Sequence, residues 1–215
     1  MLNVNSSPAT ITLNSREDLN QNTLPYAQEQ AWFYYLSEIA LRQIGNRVLN
    51  SFYQENFESW KEYDIPSTIN IANEFFRQLN EWYECLPAPM HFDDSTPGVF
   101  PNEELPYLLD IRLQEIRSWI LRPFLFLAIH SPPRTVHRSL LDAFVEKSFI
   151  CHTRLIEGNS IVHRHHGTWY MLRLSVTSAL CLIAAERRDF EVPALQQSVR
   201  LAIDTLKYWE AGSPG

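Results

Sequence analysis

Histidine is the residue type most concentrated around one point of this chain. His163, His165 and His166 crowd the stretch before Gly167, and His152 lies about three helical turns earlier. His163 and His166 stand at i and i+3, a spacing that brings two imidazoles to one side of a helix, where their neutral ring nitrogens would ligate a transition metal. A third ligand would have to come from elsewhere, and no H-E-x-x-H or paired-cysteine motif supplies it. The plainer reading is a polar helix end, where a cationic histidine complements the negative end of the helix dipole. No metal is expected on that reading.

Nucleophilic chemistry has less support. There is no G-x-S-x-G turn and no glycine-rich phosphate loop. Cys151 adjoins His152, but adjacent helical residues point in different directions. Cys85, Cys151 and Cys181 each read as core thiols. Asp93-Asp94 and Glu103-Glu104 would need a pocket to act as acid and base, and the proline-rich stretch holding them reads as a solvated loop. No catalytic residue is assigned.

Charged and aromatic residues inside apolar runs are the better candidates for a site. Arg112, Arg117 and Arg122 lie within LPYLLDIRLQEIRSWILRPFLFLAIH, residues 105–130. Buried guanidinium groups need carboxylate or carbonyl partners, so structural ion pairs are expected ahead of an anion site. Trp32, Phe33, Tyr34 and Tyr35 form an aromatic run too wide for one buried face. Trp32, Tyr34 and Tyr35 are therefore a candidate contact surface.

The elements that must hold these residues are helical. Residues 1–24 are polar and without period, and read as a tail or linker ahead of one domain over 25–212. A helix is expected over about 27–53, with Phe33, Leu36, Ala40, Ile44, Val48 and Phe52 on one face. A second follows Pro66-Ser67 to about Cys85, with Ile69, Ala72, Phe76, Leu79 and Trp82 or Tyr83 inward. The 105–130 run is apolar on most of its circumference and contains Pro123. An internal proline removes a backbone hydrogen bond at about 3 kcal/mol, which only surrounding packing would offset. A helix over 138–163 comes next, and Gly158-Asn159 would kink or interrupt it. The following helix, about 169–188, should turn Trp169, Leu172, Val176, Ala179, Leu180 and Ile183 inward. Its near lack of polar residues makes it central, with 105–130. A last helix opens at Pro193 with the stripe Leu195, Val199, Ala202, Leu206 and Trp209. The fold class is all-α, with six main helices.

Composition narrows the function. The 215 residues carry a formal net charge of −7 and no long Lys/Arg run, so direct nucleic-acid binding by this chain is not expected. Three isolated cysteines point to a reducing compartment. The first residues lack a basic start and an apolar core, so no secretory signal is read there. No run approaches ~18 uninterrupted apolar residues, and no membrane span is expected.

Several segments carry a resemblance. An aromatic helix W-F-Y-Y-L-x-E-I-A-L-R occupies 32–42. W-Y-x-x-L-P follows at Trp82, Tyr83, Leu86 and Pro87, and R-P-F-L at Arg122, Pro123, Phe124 and Leu125. H-H-G-T-W begins at His165, with Arg173 beyond it. In order and spacing they resemble the fungal-specific transcription factor domain, the middle homology region of fungal zinc-cluster regulators, over residues 26–210. The resemblance implies a helical regulatory domain in the nucleus, involved in secondary metabolism and responsive to a small-molecule inducer or a protein partner. Otherwise the chain is cytoplasmic. The family's zinc cluster is absent, because three cysteines cannot supply a Zn2Cys6 site, so neither zinc nor DNA binding carries over. The partner would be a second copy or the remainder of a longer regulator. The alternative is a stand-alone helical protein recruited as a biosynthetic enzyme or small-molecule binder.

The space between the 32–53, 105–130 and 169–188 helices separates these readings. Filled by apolar side chains, it favours a scaffold. Open, with polar groups such as Arg117, Arg122, Tyr170 or His166 converging on it, it favours a ligand site.

Overall fold

The computed structural model describes residues 15–96, 100–101, 103–130, 137–160 and 167–211. Six helices account for most of them: α1 Ser15–Phe52, α2 Ile65–Glu84, α3 Glu104–His130, α4 Arg138–Asn159, α5 Thr168–Glu186 and α6 Leu195–Ala211. Two short 3₁₀ turns, Phe57–Glu62 and Ala88–Met90, lie in the connections, and no strand occurs among the described residues. The all-α expectation holds. The start of α2 follows the sequence signal closely: Asp64 caps it by accepting the Ser67 N–H at 3.0 Å, and Pro66 sits in the first turn.

α3 is buried nearly all round, and Pro123 lies inside it. A proline at that position leaves the carbonyl of Trp119, one turn earlier, without its helical donor. The Tyr53 hydroxyl, arriving from the end of α1, donates to that carbonyl at 2.8 Å. Tyr53 itself is stacked edge-on against Trp60. Packing from a neighbouring element thus replaces the bond that the proline removes. Gly45 allows α1 to approach α3 closely, since a Cβ there would stand 3.1 Å from both Ile116 and Trp119.

Two apolar clusters form the core. The larger joins α1, α2, α3 and α4 through Leu41, Val48, Leu79, Ile116, Phe124 and Leu155, and takes Met171 and Leu174 from α5. The smaller joins the end of α3 to α4, α5 and α6 through Leu125, Phe149, Leu182 and Ala202. Ser148 and His152 on α4 and Ser175 and Ser178 on α5 are fully or almost fully buried. By position along their helices they fall between residues of the two clusters.

Several registers differ from expectation. α1 begins at Ser15 rather than near Ala27, so residues 15–24 continue a helix instead of forming a tail. Extending an existing helix requires one residue fixed per bond, so it proceeds without an apolar period. In α1 Ser37 and Leu41 turn inward while Leu36 is 58% exposed. α3 and α4, not α3 and α5, are the central pair. Trp169 is 79% and Leu180 60% exposed, and α5 buries Ser175 and Ser178 in their place. α5 is long and apolar enough to cross a membrane, a property that core helices of soluble proteins share, and part of it packs on α4. α6 is rotated as well: Ser198, Ala202 and Thr205 are inward, while Leu206 is exposed. α4 ends at Asn159, consistent with the interruption expected at Gly158-Asn159. Cys151 is buried and Cys181 half-buried, but Cys85 is exposed and is not a core thiol.

Candidate functional site

The space between α1, α3 and α5 is open. It is a mostly apolar cleft of about 380 Å³ whose walls include Leu108 and Ile111 of α3 and Met171 of α5. Its polar groups come from three helices. Tyr34 and Glu38 lie one turn apart on α1, Arg112 follows Leu108 by one turn on α3, and Tyr170 sits in the first turns of α5.

Arg112 organises these groups. Its guanidinium donates to Glu115 at 2.5 Å and to the Tyr170 hydroxyl, and stands 3.6 Å from Glu38. It also lies over the Tyr170 ring, 5.4 Å from the centroid, while Arg173 covers the same ring at 5.5 Å. Glu38 accepts a charged hydrogen bond from Arg42 at 2.8 Å. Glu115 is 1% exposed, and burial raises its pKa against the opposing pull of Arg112. Burial also raises the pKa of the Tyr34 phenol, with Glu38 adding to the effect, so Tyr34 is a neutral hydroxyl at pH 7.

Arg117 is not in this cleft. It forms a bidentate pair with Asp94, at 2.6 and 2.7 Å, from the opposite side of α3. Asp94 also accepts from Gln114 at 2.9 Å. Arg154 of α4 bonds the fully buried Asp110 at 3.0 Å and the backbone carbonyls of Asp93, Asp94 and Thr96. Arginines from two helices therefore anchor the proline-rich loop. Asp94 is part of a structural network rather than a solvated loop charge, while Asp93 is exposed and bonds Ser95 and Thr96. Arg122 is half-buried, its Nε has no hydrogen-bond partner among the described residues, and it too lies outside the cleft. The ion-pair reading holds for Arg112 and Arg117; Arg122 has no carboxylate partner among the described residues.

His166 lies outside the described residues, as do His163 and His165. No group of three potential metal ligands occurs among the described residues. His152 is fully buried. It shares a 3.1 Å hydrogen bond with Ser178 through Nδ1, and its pKa is pushed down to about 3 by burial and then by Arg122. The Cys151 thiol donates to the Gln114 carbonyl at 3.2 Å, and burial pushes its pKa up to about 12. Neither group has the access or ionisation of a nucleophile or base.

On α1, Trp32 and Tyr35 are 62% and 54% exposed and pack edge to face on each other. Tyr34 instead turns toward the cleft. The aromatic run thus divides between a surface pair and a cleft residue. Sequence reasoning identified Tyr170 and the three helices, but not Glu38, Leu108 or Met171. Tyr34 and Glu38 at i and i+4, and Arg112 and Glu115 at i and i+3, were the available signals. No family model, curated protein or solved structure matches this chain.

Proposed function

We propose that this chain is a ligand-responsive regulatory domain whose sensor is the cleft between α1, α3 and α5. One observation carries the reading: an open, mostly apolar cavity receives Tyr34, Glu38, Arg112 and Tyr170 from three separate helices. A few polar groups converging on an apolar cavity form the usual pattern of a small-molecule site. Each wall belongs to a different helix, so an occupant would bias how those helices pack, which is what sensing requires. The resemblance to the regulatory region of fungal zinc-cluster factors supplies the context: a nuclear protein, controlling secondary metabolism, responding to an inducer and acting on DNA only through a partner. The net charge of −7 agrees with that division of labour.

Mass spectrometry of small molecules that co-purify with the chain, followed by their rebinding, tests the reading. A molecule that rebinds stoichiometrically and is returned unchanged supports a sensor. A molecule converted to product by the purified chain would make this the stand-alone biosynthetic enzyme instead.

A further inference from the structure

α1 leaves an apolar stripe open to solvent. Trp32, Leu36 and Ile39 follow one another at steps of four and three residues, and Gln43 continues the line. Trp32 and Leu36 are more than half exposed, and Ile39 is only partly buried. The opposite side of the helix, with Ser37, Leu41, Ile44 and Val48, is the one that packs into the molecule. A surface helix ordinarily turns a polar side to water, so an aromatic and aliphatic stripe there marks a contact.

The residues beside the stripe specify what covers it. Glu29 and Arg47 are both exposed, and neither has an ion-pair partner among the described residues. Glu74, whose carboxyl feels the charge of Arg47, is already held by Arg77 at 2.6 Å. Glu29 and Arg47 are separated by about five full turns, so they lie on the same edge of the stripe. Tyr35 and Arg42, about two turns apart, lie on the other edge. Two copies of α1 laid antiparallel about a two-fold axis bring each edge against the same edge of the partner. With the axis at Glu38, Glu29 meets the partner's Arg47 and Arg47 meets the partner's Glu29. The same register sets Arg42 over the partner's Tyr35 ring and Leu36 against the partner's Ala40. The Glu38 side chain is 15% exposed, turned toward the cleft and held by Arg42, so the two carboxylates nearest the axis do not oppose the pairing. A parallel pair would instead set Glu29 against Glu29 and Arg47 against Arg47.

We infer that α1 pairs antiparallel with α1 of a second copy of this chain, with reciprocal Glu29–Arg47 ion pairs fixing the register. The paired length, residues 28–47, is about 30 Å. One helix pair stands at the small end of stable interfaces, so a dissociation constant in the micromolar range is expected.

Sedimentation velocity of the chain and of two charge reversals tests the pairing. Glu29→Arg and Arg47→Glu each turn both reciprocal attractions into repulsions, and each should weaken self-association by about 5- to 20-fold. An equimolar mixture of the two variants should associate as tightly as the wild type, because every facing pair is again of opposite charge. The two positions lie about 27 Å apart along one helix, too far to pair within a chain, so this recovery reads a contact between copies. Leu36→Glu, at an exposed position, should abolish dimerisation, with far-UV circular dichroism as the check on its fold. A wild type that stays monomeric up to about 200 μM would overturn the inference and leave the stripe to a partner of another sequence. A dimer indifferent to the reversals, or variants whose mixture stays as weak as each alone, would overturn the antiparallel register.

Discussion

Arg112 on α3 hydrogen-bonds the hydroxyl of Tyr170 on α5 while its guanidinium lies over the same ring, linking residues 58 positions apart. This contact ties α5 to α3 at the mouth of the cleft, where the two helices otherwise touch sparingly. The same guanidinium neutralises Glu115, so the mouth of the cleft and the stability of α3 share one side chain.

Arg112→Met should therefore destabilise the protein by about 3 kcal/mol at pH 7, because it leaves a buried carboxylate without a partner. Glu115→Gln in the same background should restore most of the loss, since the buried charge is gone. Urea unfolding of the two variants checks this. Equal destabilisation in the single and double variants would show that Glu115 does not depend on Arg112.

Tyr53→Phe keeps the aromatic packing and removes the donor to the Trp119 carbonyl that Pro123 leaves open. A loss of about 1–3 kcal/mol is expected, the penalty of an unsatisfied buried acceptor. Restoring a helical donor with Pro123→Ala should make Tyr53→Phe much less damaging. Additive effects in the double-mutant cycle would refute the compensation.

His152 gives a pH dependence of defined sign. Its folded-state pKa is pushed down to about 3, against an ordinary value of 6.5. Between those values the unfolded chain binds the extra proton. Stability from this group is therefore fully present above about pH 6.5 and is lost as pH falls toward 3, by up to about 1.4 kcal/mol per pH unit. Asp110 and Glu115, whose pKa values are raised chiefly by burial, act in the opposite sense as the solution is acidified. Wild type compared with His152→Gln removes those shared contributions. The stability difference should shrink steadily below pH 6.5, and a difference constant from pH 7 to 4 would contradict the buried neutral imidazole.

Trp32 and Tyr35 form an exposed aromatic pair beside Leu36, itself 58% exposed. This surface is expected to mediate contact with a second copy or with the remainder of a longer chain. Light scattering should show concentration-dependent association that falls in Trp32→Ser plus Tyr35→Ser. A monomer at high concentration, unchanged by the double substitution, would tell against this contact.

The number and order of helices were legible in the sequence because proline and glycine punctuate it and because α3 announces itself by length. Facing was legible only where a polar side contrasts with an apolar one. α2 shows this: Ala72, Leu79 and Trp82 are inward as expected, although Phe75 takes the buried place given to Phe76. α5 has no such contrast. Ser175 and Ser178 are buried, Ser178 against His152 of α4, while Trp169 and Leu180 lie outside. The site was half legible. Tyr170 and the three helices were found, but the choice of Arg112 over Arg117 depends on which side of α3 faces α5. A helix apolar on most of its circumference does not reveal that in one dimension.

The most direct test of the cleft as a ligand site is methyl-resolved NMR of the chain titrated with naphthalene-1-methanol. The account predicts saturable shifts concentrated on Leu108, Ile111 and Met171 and lost in Leu108→Trp. Shifts centred instead on the apolar groove of Ile183, Leu195, Val199 and Ile203 between α5 and α6, or no saturable shifts at all, would contradict it.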